Sequence, residues 1–497
     1  MNYYLGIDSG GTVIKAGLFN EAGQQIALYK ENTQVINAQA GWVERDLAAY
    51  WQETCRVIKG VLAQSQIAPA LIKGLSISAQ GKGVYLLDKQ GKPLRNGILS
   101  SDSRSVDIVR QWQVEQIPET VYPITKQTLW TGHPVSILRW LKEHEPMSYQ
   151  NIGSVLMSHD YLRYCLTGDI SAEITNISES NLFNSVTGEY DPQLFALFGI
   201  SELLPTLPRV VLPTDCVGVV TPQAAKSCGL AVGTPVYGGL FDIVSTALCS
   251  GIGVNDNKLN AVMGTWAVTS GITDSMYDEQ EERYVYGYHA ESGQYIIHEA
   301  SPTSASNYAW LADYLGDEGV LNHAKNESAI KQLKPAASSI YFLPFLYGSN
   351  AGLGLKSGFY GIQAHHKKSE IIQAVWEGTL FCHNVHLQRM LKRFPNTQVL
   401  RVTGGPTQSE TWMQMLADLT GLTIEIPQVD ETGTLGAAMI AMVGENPQRS
   451  LTSMIAQFAI PLKCIEANPT HFQAYQHKYQ RYVKLVDLLK QFEGTSS

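Results

Sequence analysis

Apolar positions run through Tyr4, Leu5 and Ile7, give way to a small-residue turn carrying one carboxylate at Asp8, Ser9, Gly10, Gly11 and Thr12, and resume at Ile14, Ala16 and Leu18 against Val13, Lys15 and Gly17. Two strands joined by a glycine-rich turn are expected over residues 4–19. Helical spacing over residues 47–65 (Leu47, Tyr50, Trp51, Val57, Ile58, Val61, Leu62) predicts an amphipathic helix, and residues 72–78 and 84–88 read as strands on either side of a Gln80-Gly81-Lys82-Gly83 loop. Further helices are expected around Ile108, Val109 and Trp112, over 135–142, and over 159–166, where Gly168 supplies the stop. Residues 233–242 form a strand that runs into Asp242, followed by a small-residue helix over 243–250.

The second half restarts the same order. Residues 259–269 are strand, Gly264-Thr265 turn and strand, and residues 399–406 are a strand ending in Gly404-Gly405. A helix over 409–419, a strand over 422–426, a small-residue helix over 435–441 and an amphipathic tail helix over 471–492 complete it. This echo implies two α/β domains of common architecture facing each other, 1–250 and 251–497, with a mixed sheet and crossover helices in the first.

Composition narrows the class. A chain of 497 residues, 44% hydrophobic and 16% charged, buries large cores without disulfide staples. A net charge of −9, with no basic run longer than Lys367-Lys368, argues against a nucleic-acid surface. The seven cysteines are widely spaced and form no C-x-x-C pair, so neither a disulfide framework nor a zinc site is indicated. Met1 leads straight into the first strand, and no apolar run reaches membrane-spanning length; a cytoplasmic protein is expected.

The opening hairpin carries candidate chemistry. Glycines at 10 and 11 let backbone N–H groups approach an anion, Thr12 adds a hydroxyl, Asp8 is placed to hold a hydrated Mg2+, and Lys15 brings positive charge toward phosphates. The order strand, D-x-G-[GT]-T, strand is neither a Walker P-loop nor a dinucleotide fingerprint. It resembles the first phosphate loop of the sugar kinase, hexokinase, Hsp70 and actin ATPases. Asp242 at a strand end reads either as a helix N-cap or as a carboxylate that accepts a proton from an attacking hydroxyl.

From about residue 3 to 482 the chain resembles the FGGY carbohydrate kinase family. Residues 6–15 are similar to that family's phosphate-1 hairpin, 263–266 (Met-Gly-Thr-Trp) to its phosphate-2 turn, 404–409 to its adenosine motif, and 341–348 to the apolar strand and loop entering its second domain. The resemblance implies two ribonuclease H-like (actin/Hsp70/sugar kinase ATPase) domains around a central cleft. It implies that Asp242 is the general base, that Asp8 aids Mg2+ binding, and that Thr12, Thr265, Gly405 and Ser409 line ATP; Gly11, Lys15, Gly264 and Gly404 are expected to bind the nucleotide beside them. Homodimers are frequent in the family.

Sugar selection is expected from Gln80, Gly81, Lys82, Asp102, Phe241 and Asp242. Where D-xylulose kinases carry Gln-Met-His-Gly and glycerol kinases Gln-Arg-Glu, this chain reads Gln80-Gly81-Lys82-Gly83, so D-xylulose is not the default. Residues 78–83, 130–134, 239–242 and 263–266 together resemble most the L-xylulose kinase branch. Trp42 and Glu44 read either as sugar contacts or as a loop clamp, and His383 and His386 as structural. The alternative class is a non-enzymatic nucleotide-switched protein of the Hsp70 or actin kind.

Overall fold

The computed structural model describes residues 2–277, 282–316, 319–349, 351–352, 354–429, 431–458 and 460–493. Its packing divides the chain into two units: Met1–Gly251 with Ile272–Ile297 and Val429–Ala459, and Ile252–Gly271 with His298–Gln428 and Ile460–Ser497. Two segments beyond Gly251 thus pack with the first unit.

The first unit is built on a mixed sheet. Strands β1 (Tyr3–Ser9), β2 (Val13–Asn20) and β3 (Gln25–Asn32) form an antiparallel meander. Parallel to β1 runs β4 (Ile72–Ala79), and beyond it lie β5 (Cys216–Val219) and β6 (Pro235–Tyr237), with β7 (Leu240–Phe241) also pairing β4 in parallel. The strand expected over 233–242 is therefore broken. Gly239, at φ +101°, steps the chain so close to β4 that a Cβ would lie 2.5 Å from the Ile77 carbonyl oxygen. That jog moves Leu240 and Phe241 into register with Ser78 and Ala79.

Helices cover both faces. Leu47–Ser65 begins where the Asp46 carboxylate accepts from the Ala49 amide, at 2.7 Å, and its apolar side (Val57, Ile58, Val61) joins Leu5, Ile7, Ile14, Ala16, Leu18, Leu75 and Ile77 in one buried cluster. Ser158–Thr167 stops at Gly168 in the left-handed conformation, as its sequence requires. Opposite, Thr432–Glu445 lies on β1 and β4. It approaches so closely that a Cβ on Gly6 would fall 1.8 Å from the Thr434 carbonyl oxygen.

The second unit repeats the plan. Strand β8 (Lys258–Met263) pairs antiparallel with β9 (Ala267–Thr273) and parallel with β10 (Val399–Thr403), which pairs with β11 (Thr423–Pro427); β12 (Leu462–Ile465) closes the edge antiparallel. The 26-residue helix Lys368–Arg393 is buried along much of its length, and Trp376 stacks on Trp412 of Glu410–Thr420 at 4.5 Å. Its two histidines bond serines: His383 Nε2 meets Ser304 Oγ at 2.7 Å and His386 Nε2 meets Ser301 Oγ at 2.8 Å. Burial pulls their pKa values down, to about 4 and about 3. No described helix is long and apolar enough to cross a membrane.

The Gly6 contact is testable. Gly6→Ala drives a methyl into helix backbone and is expected to lower the melting temperature by more than about 5 °C. Gly253→Ala, where nothing lies within 4 Å of the added atom, serves as the neutral control in the same scan.

Candidate active site

Three parallel strands end side by side in the first unit. Asp8, Ser78 and Leu240 form one cross-strand row, and Ser9, Ala79 and Phe241 the next. Residues in register on parallel strands share a face, and Asp242 follows Leu240 by two, so Asp8 and Asp242 emerge on one face about two strand spacings apart, roughly 10 Å. Phe241 occupies the N-cap position without a side-chain hydrogen bond, so Asp242 is the first residue of Asp242–Ser250 and not its cap.

Burial and crowding set the charges here. The Asp242 carboxyl is pushed up to about 7, first by loss of water and then by the negative charge of Asp8; the Ile243 amide and the Lys82 ammonium act the other way. Asp8 is likewise raised, by burial and by Glu431, against the pull of Lys15. Lys15 Nζ lies 2.6 Å from Glu431 Oε2 and 3.6 Å from Asp8 Oδ2. Burial alone depresses Lys15, yet its two carboxylate neighbours more than reverse that and raise it. Gly433 presses against Asp8, where a Cβ would be 2.3 Å from the carboxyl carbon.

The turn between β1 and β2 exposes donors. The carbonyl of Thr12 is taken by the Thr33 amide at 2.9 Å, and those of Gly10 and Gly11 by Arg45 Nη2 at 3.1 and 3.0 Å. The amides of Gly11 and Thr12 have no acceptor among the described residues. Clamped carbonyls with open amides are the arrangement an anion needs. In the second unit the parallel pair β8 and β10 ends similarly, with Val262 in register with Thr403, which sets Gly264 and exposed Thr265 beside exposed Gly404 and Gly405. Ser409 caps Glu410–Thr420 by accepting from the Trp412 amide at 3.1 Å, and its hydroxyl donates to Glu327 at 2.8 Å.

A buried polar segment holds the 80–83 loop and β7 together. Ser171, Glu173, Thr175, Asn176, Ser178, Glu179, Ser180 and Asn181 are all fully buried. Thr175 Oγ1 accepts from the Phe241 amide at 2.9 Å while donating to Glu173 at 2.6 Å. Asn176 Oδ1 accepts from the Lys82 amide at 2.9 Å, and Lys82 Nζ reaches Glu179 at 3.0 Å, with Lys82 in the left-handed region at φ +63°. Gln80 donates to Tyr85 at 3.0 Å, and Gly81 lies against the Phe241 ring. Sequence reasoning missed Glu173, Thr175, Asn176 and Glu179; the one available signal was a run of small polar residues without helical or strand period.

Asp102 stands apart from this group. It is fully buried; one oxygen receives the Arg104 amide and Nε, both at 2.9 Å, and the other receives the Val43 amide at 2.6 Å and Arg104 Nη2 at 2.9 Å. Arg104 also pairs with Glu44 and lies 3.9 Å over the Trp42 ring. Every acceptor position of Asp102 is thus spent on a loop clamp that includes Trp42 and Glu44.

Profiles of the FGGY family of carbohydrate kinases match residues 3–249 (N-terminal domain) and 259–445 (C-terminal domain). The chain belongs to that family. It is a sugar kinase, with ATP as co-substrate and the actin/Hsp70/ribonuclease H-like fold. A probable L-xylulose kinase of Pasteurella multocida (strain Pm70) is 55% identical over 99% of both chains. The L-xylulose/3-keto-L-gulonate kinase of Escherichia coli (strain K12) is 50% identical over 99% of this chain and 98% of its own. The ligand-bound xylulose kinase of Lactobacillus acidophilus shares the fold at a TM-score of 0.90 and 21% identity, covering 99% of each chain.

No group of three or more potential metal ligands occurs among the described residues. Two carboxylates sharing one lysine at the hairpin leave net negative charge, and Mg2+ characteristically uses one or two carboxylates with water and phosphate oxygens, so the donor set fits.

The raised Asp242 pKa has a sign. The folded form holds its proton up to about pH 7 whereas the unfolded carboxyl releases it near 4, so the residue lowers stability progressively as pH rises between those values. Asp242→Asn is expected to melt a few degrees above the wild type at pH 8 and level with it near pH 4.5, read by thermal melts across pH.

Proposed function

We propose that this kinase transfers the γ-phosphoryl group of Mg2+-ATP to the terminal hydroxyl of a ketopentose, L-xylulose first among candidates, giving the 5-phosphate. The observation that carries the reading is Asp242, half-buried at the end of β7 and raised to about 7, so that it is part-ionised at neutral pH and well matched to take a hydroxyl proton. In the step, the sugar oxygen bonds to the γ-phosphorus, its proton passes to the Asp242 carboxylate, and the bond to the bridging oxygen breaks to release ADP. Lys82, Gln80, Gly81 and Phe241 shape the sugar side, while Asp102 acts through the loop it holds. Gly11 and Thr12 in one unit, and Gly264, Thr265, Gly404 and Gly405 in the other, are assigned to the nucleotide; Ser409 supports them as a helix cap. Lys15 neutralises carboxylates at the hairpin. Mg2+ would be held near Asp8 and would offset charge on the phosphates. The names of the relatives at 55% and 50% identity favour L-xylulose, and Gln80 to Gly83 distinguishes the loop from the D-xylulose pattern.

A six-carbon keto acid is the second reading. It is favoured by the Lys82 ammonium, 16% exposed, which has donors left for a carboxylate after pairing with Glu179.

Asp242→Asn is expected to lower sugar-dependent ADP release by about a thousandfold with little change in sugar KM. Retention of most activity would remove Asp242 as the base. A coupled assay across L-xylulose, D-xylulose, L- and D-ribulose and 3-keto-L-gulonate, repeated on Lys82→Met, separates the two substrate readings: L-xylulose leads in the wild type, and a loss confined to the keto acid assigns its carboxylate to Lys82.

A further inference from the structure

Arg45 sits where the sequence pattern shows only the end of a polar loop. It lies on a two-residue strand, Glu44–Arg45, paired with Gly97–Ile98, and is 1% exposed. Its Nη2 binds the carbonyls of both turn glycines, and its guanidinium lies 4.4 Å over the Tyr50 ring. Tyr50 is itself fixed by Ser9 Oγ at 2.5 Å and Ser158 Oγ at 2.7 Å.

Its charge meets no carboxylate. Among the described residues no carboxylate pairs with Arg45, and Nε and Nη1 have no hydrogen-bond partner. Tyr50 supplies no counter-charge, because burial pushes its phenol up to about 12 and keeps it neutral. A buried cation held by carbonyls and a ring face but by no carboxylate is costly, and such a cost persists where the group serves another one. Arg45 occupies the back of a turn whose front presents two open amides, with every carbonyl of Gly10, Gly11 and Thr12 drawn away from that front.

We infer that Arg45 is a positioning residue for the phosphates of the nucleotide: it pins the Gly10 and Gly11 carbonyls so that the turn amides face an anion, and it places a full positive charge directly behind them. The inference rests on the assignment of the β1–β2 turn to the nucleotide. It gives Arg45 a part in ATP affinity and none in sugar recognition. A lysine keeps the charge but loses the flat two-carbonyl grip, so it restores the function only in part.

The test uses the full-length enzyme. ADP affinity is measured by titration calorimetry at low and high salt, alongside ATP and sugar KM, kcat and melting temperature, for Arg45→Met, Arg45→Lys and Gly11→Asp. Arg45→Met is expected to weaken ADP and raise the ATP KM about tenfold, with sugar KM within about twofold and a smaller deficit at high salt. Arg45→Lys should recover part of the loss. If Arg45→Met does not fold, Arg45→Lys alone decides: a rise in ATP KM with unchanged sugar KM supports the inference, and equal rises in both overturn it. ADP affinity within about twofold of wild type in Arg45→Met, with binding abolished in Gly11→Asp, leaves the turn as the phosphate site and removes Arg45 from it. Unchanged ADP affinity in Gly11→Asp removes the phosphate site itself.

Discussion

The first unit depends on carboxylates crowded where parallel strands end. Asp8 and Asp242 come to one face because β1, β4 and β7 stop in register, and the Thr432–Glu445 helix brings Glu431 to the same place. Water is scarce there, so the charge of Glu431 makes Asp8 harder to ionise and that of Asp8 does the same to Asp242, while Lys15 pairs only with the two nearest the hairpin. The result is a division of labour between chemically identical groups. Asp8 and Glu431 share a lysine and suit a cation, whereas Asp242, with Lys82 as a weaker counterweight, is left with a pKa near neutrality.

Holding that arrangement requires a scaffold that tolerates polarity in its interior. The segment from Ser171 to Asn181 is buried yet mostly polar, and two of its hydrogen bonds go to the backbone of Phe241 and of Lys82. One loop is thereby fixed to the strand that leads into Asp242. Buried polar networks are favourable where their members are bonded, and Thr175 and Asn176 of this one hold the two loops that matter most. The close contact at Gly6 serves the same end by seating the helix that delivers Glu431 and Gly433.

Much of this was legible in the sequence. The hairpin, the helix over 47–65, the strand over 72–78 and the echo over 259–269 and 399–406 follow from period and glycine placement alone, since each buries one face or turns sharply. Asp242 was legible as a carboxylate at a strand end, but the sequence left its role open between a helix N-cap and a proton acceptor. The break at Gly239 was not, as it answers to the approach of β4. Asp102 reads in sequence as a pocket residue, but its partners Val43 and Arg104 complete its valence only once the loops fold together. Glu179 and Arg45 were invisible for the same reason: their roles belong to neighbours distant along the chain, and neither sits in a local motif. The return of residues 272–297 and 429–459 to the first unit is likewise a matter of packing that periodicity does not encode.

The central claim is that burial among carboxylates raises Asp242 into the neutral range. It is tested most directly by titrating that one carboxyl, using infrared difference spectra between the wild type and Asp242→Asn across pH in the ligand-free enzyme. The account predicts a midpoint near 7 that falls when Asp8 is replaced by Asn, because the second-largest contribution to the shift is the charge of Asp8. A midpoint below about 5, or one that ignores Asp8, would contradict it.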